Sequence, residues 1–325
     1  MTNRFYYAYA RHALVTALRL ARVQAGDVVL LPSLICRDVL ASLAAVNAVP
    51  IFYEIGEDLQ ISRDALLPRA RVVIAVNYFG FPALLDRISE RLSDSRTIII
   101  EDNAHGWLSA DEKGAPLGFR TPLGVTSFRK TILTPDGAFL HWSGDGSLDL
   151  SALHEPLTPR QERLKLSFRL RRNTSRLEKI TRLPLRSGSR FLVRSMRTIN
   201  GKPAIETNSG EEFELPRFQA IHEKSLELFA RVDSTAEIRR RREVYMKCEE
   251  LAISADLTPV FSHLTPGVCP QGFAFFSQSE RESNFRRQIV RQRLGEIISW
   301  PAISIRCSLP LNSPLRSLKL VNFLQ

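Results

Sequence analysis

The chain has 325 residues, a formal net charge of +11 and 44% hydrophobic residues, enough for one large domain and a smaller one. No apolar run reaches the ~18 residues of a membrane span, and the start "MTNRFYYAYARHALV" lacks an apolar signal core with a small-residue cleavage site, so the expected location is cytoplasmic. Cys36, Cys248, Cys269 and Cys307 are far apart with no CxxC pair, which argues for free thiols over a disulfide framework or a zinc site.

The first 150 residues alternate strand and helix signals. Short β-rich runs are "DVVLLP" (27–32), "VPIFYEI" (49–55), "VVIAVNY" (72–78), "TIIIED" (97–102) and "GVTSF" (124–128), with helical patterns at 10–24, 36–47 and 83–93 between them. Strands that are apolar without alternation are covered on both faces, which predicts a mostly parallel sheet in an α/β layered domain spanning 1–150. Residues 151–215 read as an arginine-rich insertion or linker with Pro, Ser and Gly breaks. From 216 to 325 a small α+β domain is expected: a long helical pattern through "RRRREVYMKCEELA", a strand at "GFAFFS", a helix around 281–295 and an irregular tail containing "SWPAI".

The charge is unevenly placed. Residues 1–150 hold 15 Lys and Arg against 16 Asp and Glu, and the remainder holds 30 against 18. Residues 160–197 alone carry 13 basic and two acidic side chains. Such a stretch suits phosphates, acidic glycans or an anionic membrane surface, and equally a solvated pair of helices. Nucleic acid is not an expected partner.

Ligands of open parallel sheets bind beyond the carboxyl ends of the strands. Asp102 stands at such an end in "TIIIEDNAHGW", followed by Asn103 and His105. An acid there can hold a metal or a protonated ring nitrogen, or it can cap a helix beginning near Asn103. Neither GxGxxG nor GxxxxGK[ST] occurs, HExxH and GxSxG are missing, and the six histidines are scattered. A dinucleotide site, a P-loop, a metal site and a serine-hydrolase elbow are therefore disfavoured. Residues 1–150 contain only two lysines, Lys113 and Lys130. Lys113 lies in the turn-like "DEKGAP". Lys130 follows the strand "GVTSF", where a positive neighbour such as Arg129 would favour an amine able to condense with a carbonyl; the alternative is a surface lysine in a loop.

The order of these pieces resembles the PLP-dependent sugar aminotransferases of the DegT/StrS type, with the fold type I architecture. "AGDVVLLPSLICRDVLASLAAVNAVPIFYEI" resembles that family's strand–helix–strand unit, and "VNYFGFPALLDRI" its "VHLYGQP" segment. "IIIEDNAHG" resembles "VIEDAAQAHG", and "TSFRKTILTPDGAF" resembles "SFxxTKNxxxxxGG". The likeness covers about 10–142 and returns weakly at "RRRREVY" and "SWPAI". It implies a fold type I PLP-transferase-like three-layer domain with a small C-terminal domain, working as a homodimer. It further implies that pyridoxal 5'-phosphate takes an amino group from a donor such as glutamate and passes it to a keto sugar, nucleotide-linked, in surface polysaccharide or related biosynthesis.

Roles follow residue by residue from the resemblance. Asp102 matches the acid that pairs with the pyridine nitrogen, His105 the Gln near the phenolic oxygen, and Ser127 a serine on the cofactor phosphate. Ala10 and Arg11 fall at the family's phosphate-binding Gly-Thr turn, where Arg11 would supply a charged contact. Cys36 falls at the ring-stacking aromatic, and Gly137-Ala138 replaces a double glycine. The catalytic lysine is placed two ways. Five residues after Ser127 comes Ile132, which cannot form an imine, whereas seven residues before Gly137 comes Lys130. Lys130 with a loop shortened by two residues is the favoured assignment. These departures leave a second expectation open, a non-catalytic relative that binds an anionic partner as a scaffold. A third, an unrelated α/β transferase using Asp102 with a metal, predicts metal-dependent activity instead.

Overall fold

In a computed structural model, the structure describes residues 3–65, 67–143, 148–164, 166–181, 212–277, 279–299, 307 and 313–323. The apolar runs of the first part form seven strands of one sheet: β1 (Asn3–Tyr7), β2 (Val28–Pro32), β3 (Val49–Tyr53), β4 (Val72–Val76), β5 (Ile98–Asn103), β6 (Leu123–Thr126) and β7 (Ala138–Trp142), in the order β1-β7-β6-β5-β4-β2-β3. Neighbours from β3 across to β6 pair in parallel, whereas β7 is antiparallel to both β6 and β1. All five residues of "VVIAV" in β4 are buried, as a central strand covered on both faces requires.

Helix α1 (Ala10–Leu20) packs on β6 and β7. It buries Ala13, Leu14, Ala17, Leu18 and Leu20, positions spaced at three and four residues as an amphipathic helix demands. α2 (Leu40–Ala44) and α3 (Leu85–Ser89) are short. The parallel crossovers bring the ends of β2, β4, β5 and β6 to one edge of the sheet, so the segments starting at Ser33, Asn77, Ala104 and Ser127 emerge side by side. Expected and observed strands agree within a few residues. The outer antiparallel strands β1 and β7 are additions: "NRFYY" and "AFLHW" pair with one another from Asn3↔Trp142 to Tyr7↔Ala138, outside the strand–helix alternation.

Beyond the sheet, α4 (Leu166–Thr181) covers part of the arginine-rich region; residues 182–211, and with them the later part of the expected insertion and of the 160–197 basic stretch, lie outside the described residues. Arg160, at the start of that stretch, pairs with buried Asp136 and with Glu162, so its charge is engaged within the molecule. The single long helix expected after residue 215 is two helices, α5 (Glu223–Ala230) and α6 (Ser234–Ser254). They break where Asp233 accepts a hydrogen bond from the Ala236 amide and caps α6. The "GFAFFS" strand is β8 (Gly272–Phe276), followed by α7 (Ser279–Arg291). Of the tail expected to be irregular, residues 300–303 of "SWPAI" lie outside the described residues; β9 (Glu296–Ser299) and β10 (Leu318–Asn322) join β8 in an antiparallel sheet ordered β8-β10-β9. One hydrophobic cluster runs from the large sheet through Phe79 and Phe81 to Tyr245, Phe273 and Phe285.

Candidate active site

The candidate lysine and the candidate cofactor-binding residues meet at one cavity at the carboxyl edge of the large sheet. Arg11, Cys36, Asp102, His105, Ser127 and Lys130 line it, together with Tyr9, Asp38, Tyr78 and Arg129. Each arrives on a segment leaving a strand or opening a helix. Asp102 ends β5. No helix starts at Asn103, so Asp102 does not cap one; its Oδ1 instead accepts the Ala104 amide at 2.9 Å and tightens the turn toward His105. The turn Phe128–Lys130 follows β6, held by the Thr131 and Ile132 amides donating to the Phe128 carbonyl. That turn separates the two lysine placements. Lys130 reaches the cavity, while Ile132 packs against buried Phe128 and Phe139.

The Lys130 Nζ lies 2.9 Å from His105 Nε2. On the other side of the ring, the Phe79 amide points at Nδ1 over a long 3.5 Å, and the Phe79 and His105 rings stack with centroids 5.6 Å apart and planes 4° from parallel. The proton position on the neutral ring follows the state of Lys130: an ammonium donates to a bare Nε2, whereas a neutral amine accepts from an Nε2–H. Burial, and secondarily the charge of Lys130, hold His105 well below its ordinary value of 6.5, which keeps the ring neutral at physiological pH. Phe79 takes a left-handed conformation, φ 54°, to reach this position.

Burial raises the Asp102 carboxyl above its ordinary range, and the Ala104 amide and the charge of Lys130 offset only part of that. Cys36 is also pushed up by burial, to about 12, so it lines the wall as a neutral thiol rather than a nucleophile. Ser127 Oγ donates a long 3.4 Å hydrogen bond to the Gly137 carbonyl.

Groups that suit an anion reach the cavity from α1 and from the Lys130 turn. The first α1 hydrogen bonds are accepted by the Tyr9 carbonyl from His12 and Ala13, and the amides of Ala10 and Arg11 belong to the first turn, whose N–H groups have no partner within a helix. The Arg129 guanidinium stands 5.3 Å from the Tyr9 ring centroid. Arg11 is engaged by Asp38 at 2.8 Å, so at this helix start it serves an ion pair. Two contributors escaped the sequence reading. Asp38 has no signal of its own, and Arg129 entered only as a charged neighbour, although its place between Ser127 and Lys130 marks it.

The mostly parallel α/β sheet with its helices gives the fold class, a fold type I transferase-like architecture, and its carboxyl edge brings together an amine, a carboxylate and a helix start. Comparison with known proteins adds a family match. Residues 8–141, about two fifths of the chain, match the DegT/DnrJ/EryC1/StrS aminotransferase family. The L-glutamine:2-deoxy-scyllo-inosose aminotransferase of Streptomyces kanamyceticus is 30% identical over 170 residues, 50% of this chain and 37% of that protein. The chain thus spans little more than a third of the curated relative. Among solved structures, the aminotransferase TlmJ of Streptoalloteichus hindustanus superposes with a TM-score of 0.61 at 17% identity, over 98% of this chain and 80% of that one. Spr1654 of Streptococcus pneumoniae in its PLP form gives a TM-score of 0.63 at 16% identity, over 99% of this chain and 82% of that one. At such identities these two speak for the fold. Among the described residues, no helix is long and apolar enough to cross a membrane.

Proposed function

We propose that the protein is a PLP-dependent aminotransferase that transfers an amino group to the keto carbon of a sugar, nucleotide-linked, in surface polysaccharide or related biosynthesis. The observation that carries this reading is the Lys130 amine set 2.9 Å from His105 inside the cavity that Asp102 also lines. The donor set fits pyridoxal phosphate. Lys130 supplies the amine that would hold it, Asp102 the carboxylate for its ring nitrogen, His105 a donor for a ring oxygen, and Ser127, Arg129 and the α1 amides a cradle for its phosphate. When bound, the cofactor supplies an electron sink for the carbon that loses or gains the amine.

The protein's own share is binding and proton movement. Asp102 would favour a protonated ring nitrogen in the bound cofactor by charge complementarity. The Lys130 Nζ, which His105 faces, is the group that would move a proton to and from the reacting carbon. The glutamate-like donor and the keto sugar react in turn at the same cavity. A homodimer is the proposed working unit, and the division into an α/β domain to residue 150, a basic insertion of 151–215 and a small C-terminal domain is the proposed organisation.

One observation favours a second reading, a non-catalytic scaffold. Cys36 stands where the family has a stacking aromatic, and Arg11 is tied to Asp38. A single experiment separates the two. Purified protein is incubated with PLP, reduced with borohydride and mapped by mass spectrometry. A pyridoxyl label at Lys130 supports the enzyme; labelling only at scattered surface lysines overturns it.

A further inference from the structure

Arg241 lies on α6, outside the cavity, and is completely buried. Its guanidinium is spread over three backbone carbonyls. Nη2 donates to Thr131 at 2.6 Å, and Nη1 donates to Gln271 at 3.0 Å and Pro270 at 3.2 Å. Nε donates to Glu237 Oε1 at 2.7 Å, one helical turn earlier, which supplies the counter-charge and fixes the plane of the fork. A buried cation is costly unless its donors are taken, and here four hydrogen bonds occupy four of its five N–H groups.

The carbonyls that it selects lead to the two halves of the site. Thr131 directly follows Lys130 and ends the turn that presents the amine. The Gln271 amide donates to the Phe79 carbonyl at 2.8 Å, and the Phe79 amide and ring are the groups against His105. The same segment is fastened to the loop beyond His105, where Ser109 Oγ donates to the Cys269 carbonyl at 3.1 Å and the Cys269 amide donates to Ser109 Oγ at 2.9 Å. One guanidinium therefore grips the backbone behind the amine and the backbone behind its imidazole partner.

We infer that Arg241 is a positioning residue that holds Lys130 and His105 opposite one another from outside the cavity. A planar, multi-donor fork suits this task, and a lysine ammonium does not reproduce it. The geometry stands by itself; its catalytic meaning rests on the reading of Lys130 as the cofactor-holding amine.

The test reads the pair without the cofactor. The ring titration of His105 is followed by NMR in histidine-labelled protein, assigned with His105→Gln, in wild type, Arg241→Lys and Glu237→Gln. Arg120→Lys serves as control, since Arg120 is a nearly buried cation paired with Glu101 and makes no bond to the Lys130 turn. Thermal melts verify folding. The charged neighbour that acts on the His105 ring is Lys130. In Arg241→Lys the ring gains water and loses that neighbour, so its midpoint rises by about one pH unit toward the ordinary range. Glu237→Gln, which leaves the guanidinium in place but loosens it, moves the midpoint less and in the same direction, and decides the matter if Arg241→Lys does not fold. An unmoved His105 in both variants, or an equal shift in Arg120→Lys, overturns the inference. Absence of a pyridoxyl label on wild-type Lys130 would instead remove the cofactor reading and leave this result standing.

Discussion

Lys130 Nζ and His105 Nε2 stand 2.9 Å apart although 25 positions separate them, because β5 and β6 are parallel neighbours that end on the same edge. An amine held against an imidazole in a recess differs from a surface lysine in being both oriented and partly desolvated. Replacing Lys130 with Ala is expected to abolish the borohydride-fixed label at that peptide and to lower transamination by about 10²–10⁴-fold or more. His105→Ala leaves the amine but removes its partner, and labelling of Lys130 should slow by about tenfold. Peptide mapping of the two variants beside wild type checks both.

Asp102 is held in a place that opposes its own charge. Burial raises its carboxyl above the ordinary range, so the folded state favours the protonated form, and the sign for stability follows. A carboxyl raised on folding contributes fully below the unfolded value of 3.8 and costs stability as pH rises through its folded value. At neutral pH, Asp102→Asn should therefore melt higher than wild type, by about 2–4 °C, since the amide oxygen still accepts from Ala104 and no charge is buried. The same substitution removes the partner of the cofactor ring, and PLP-dependent turnover should fall by at least about 10²-fold. A melting curve and a donor half-reaction on the same preparation show whether the stability is traded against activity.

His105 gives the opposite pH dependence. Its folded value lies well below 6.5, so the unfolded chain takes up a proton near pH 6.5 that the native ring refuses. The contribution is complete above that pH and is lost as pH falls below it, at a limiting slope of about 1.4 kcal/mol per unit. His12, also lowered by burial, adds to the wild-type slope, so the measurement is the difference between wild type and His105→Gln in urea midpoints from pH 8 to pH 5. The gap between the two should change below pH 6.5 and stay level above it.

The site was legible in the sequence where apolar strands stop at polar residues. The apolar run before Asp102 reads as an inner strand, and the polar groups at its end stand where ligands of such sheets bind. The scarcity of lysine in the first 150 residues singled out Lys130, and the structure brings it, not Ile132, to the cavity. What stayed hidden depends on packing between distant segments. β1 and β7 are recognisable only by pairing with each other. Asp38 shows its role only once Arg11 is beside it. Arg241 sits in a run of four arginines that reads as a solvated face, yet it shares its side of α6 with Tyr245, Cys248 and Ala252, all buried. The spacing 241, 245, 248, 252 is the helical signal that would have found it.

Gly137 offers a test of how the Lys130 turn is supported from its far side. The glycine has φ +142°, and a Cβ there would stand 2.2 Å from Phe128 Cε2. Phe128 is fully buried and opens the turn that carries Lys130, so its ring cannot yield without moving that turn. The Gly137 carbonyl also accepts from the Arg129 amide at 3.3 Å and from Ser127 Oγ at 3.4 Å, and its amide donates to Ala8 at 2.8 Å, just ahead of α1. Any shift at this glycine is passed to the amine and to the anion-binding helix start together. Gly137→Ala should destabilise the protein by about 1–3 kcal/mol, through backbone strain and overpacking. It should weaken PLP binding by about tenfold even at temperatures where the variant remains folded. The neighbouring Ala138 lies in β7 with ordinary strand geometry, so Ala138→Gly restores the family's double glycine with a small stability loss and little change in PLP affinity. Fluorescence titration of PLP into the two variants, beside their melting curves, distinguishes a damaged cradle from a merely less stable fold: the binding loss should follow position 137 and not the melting temperature.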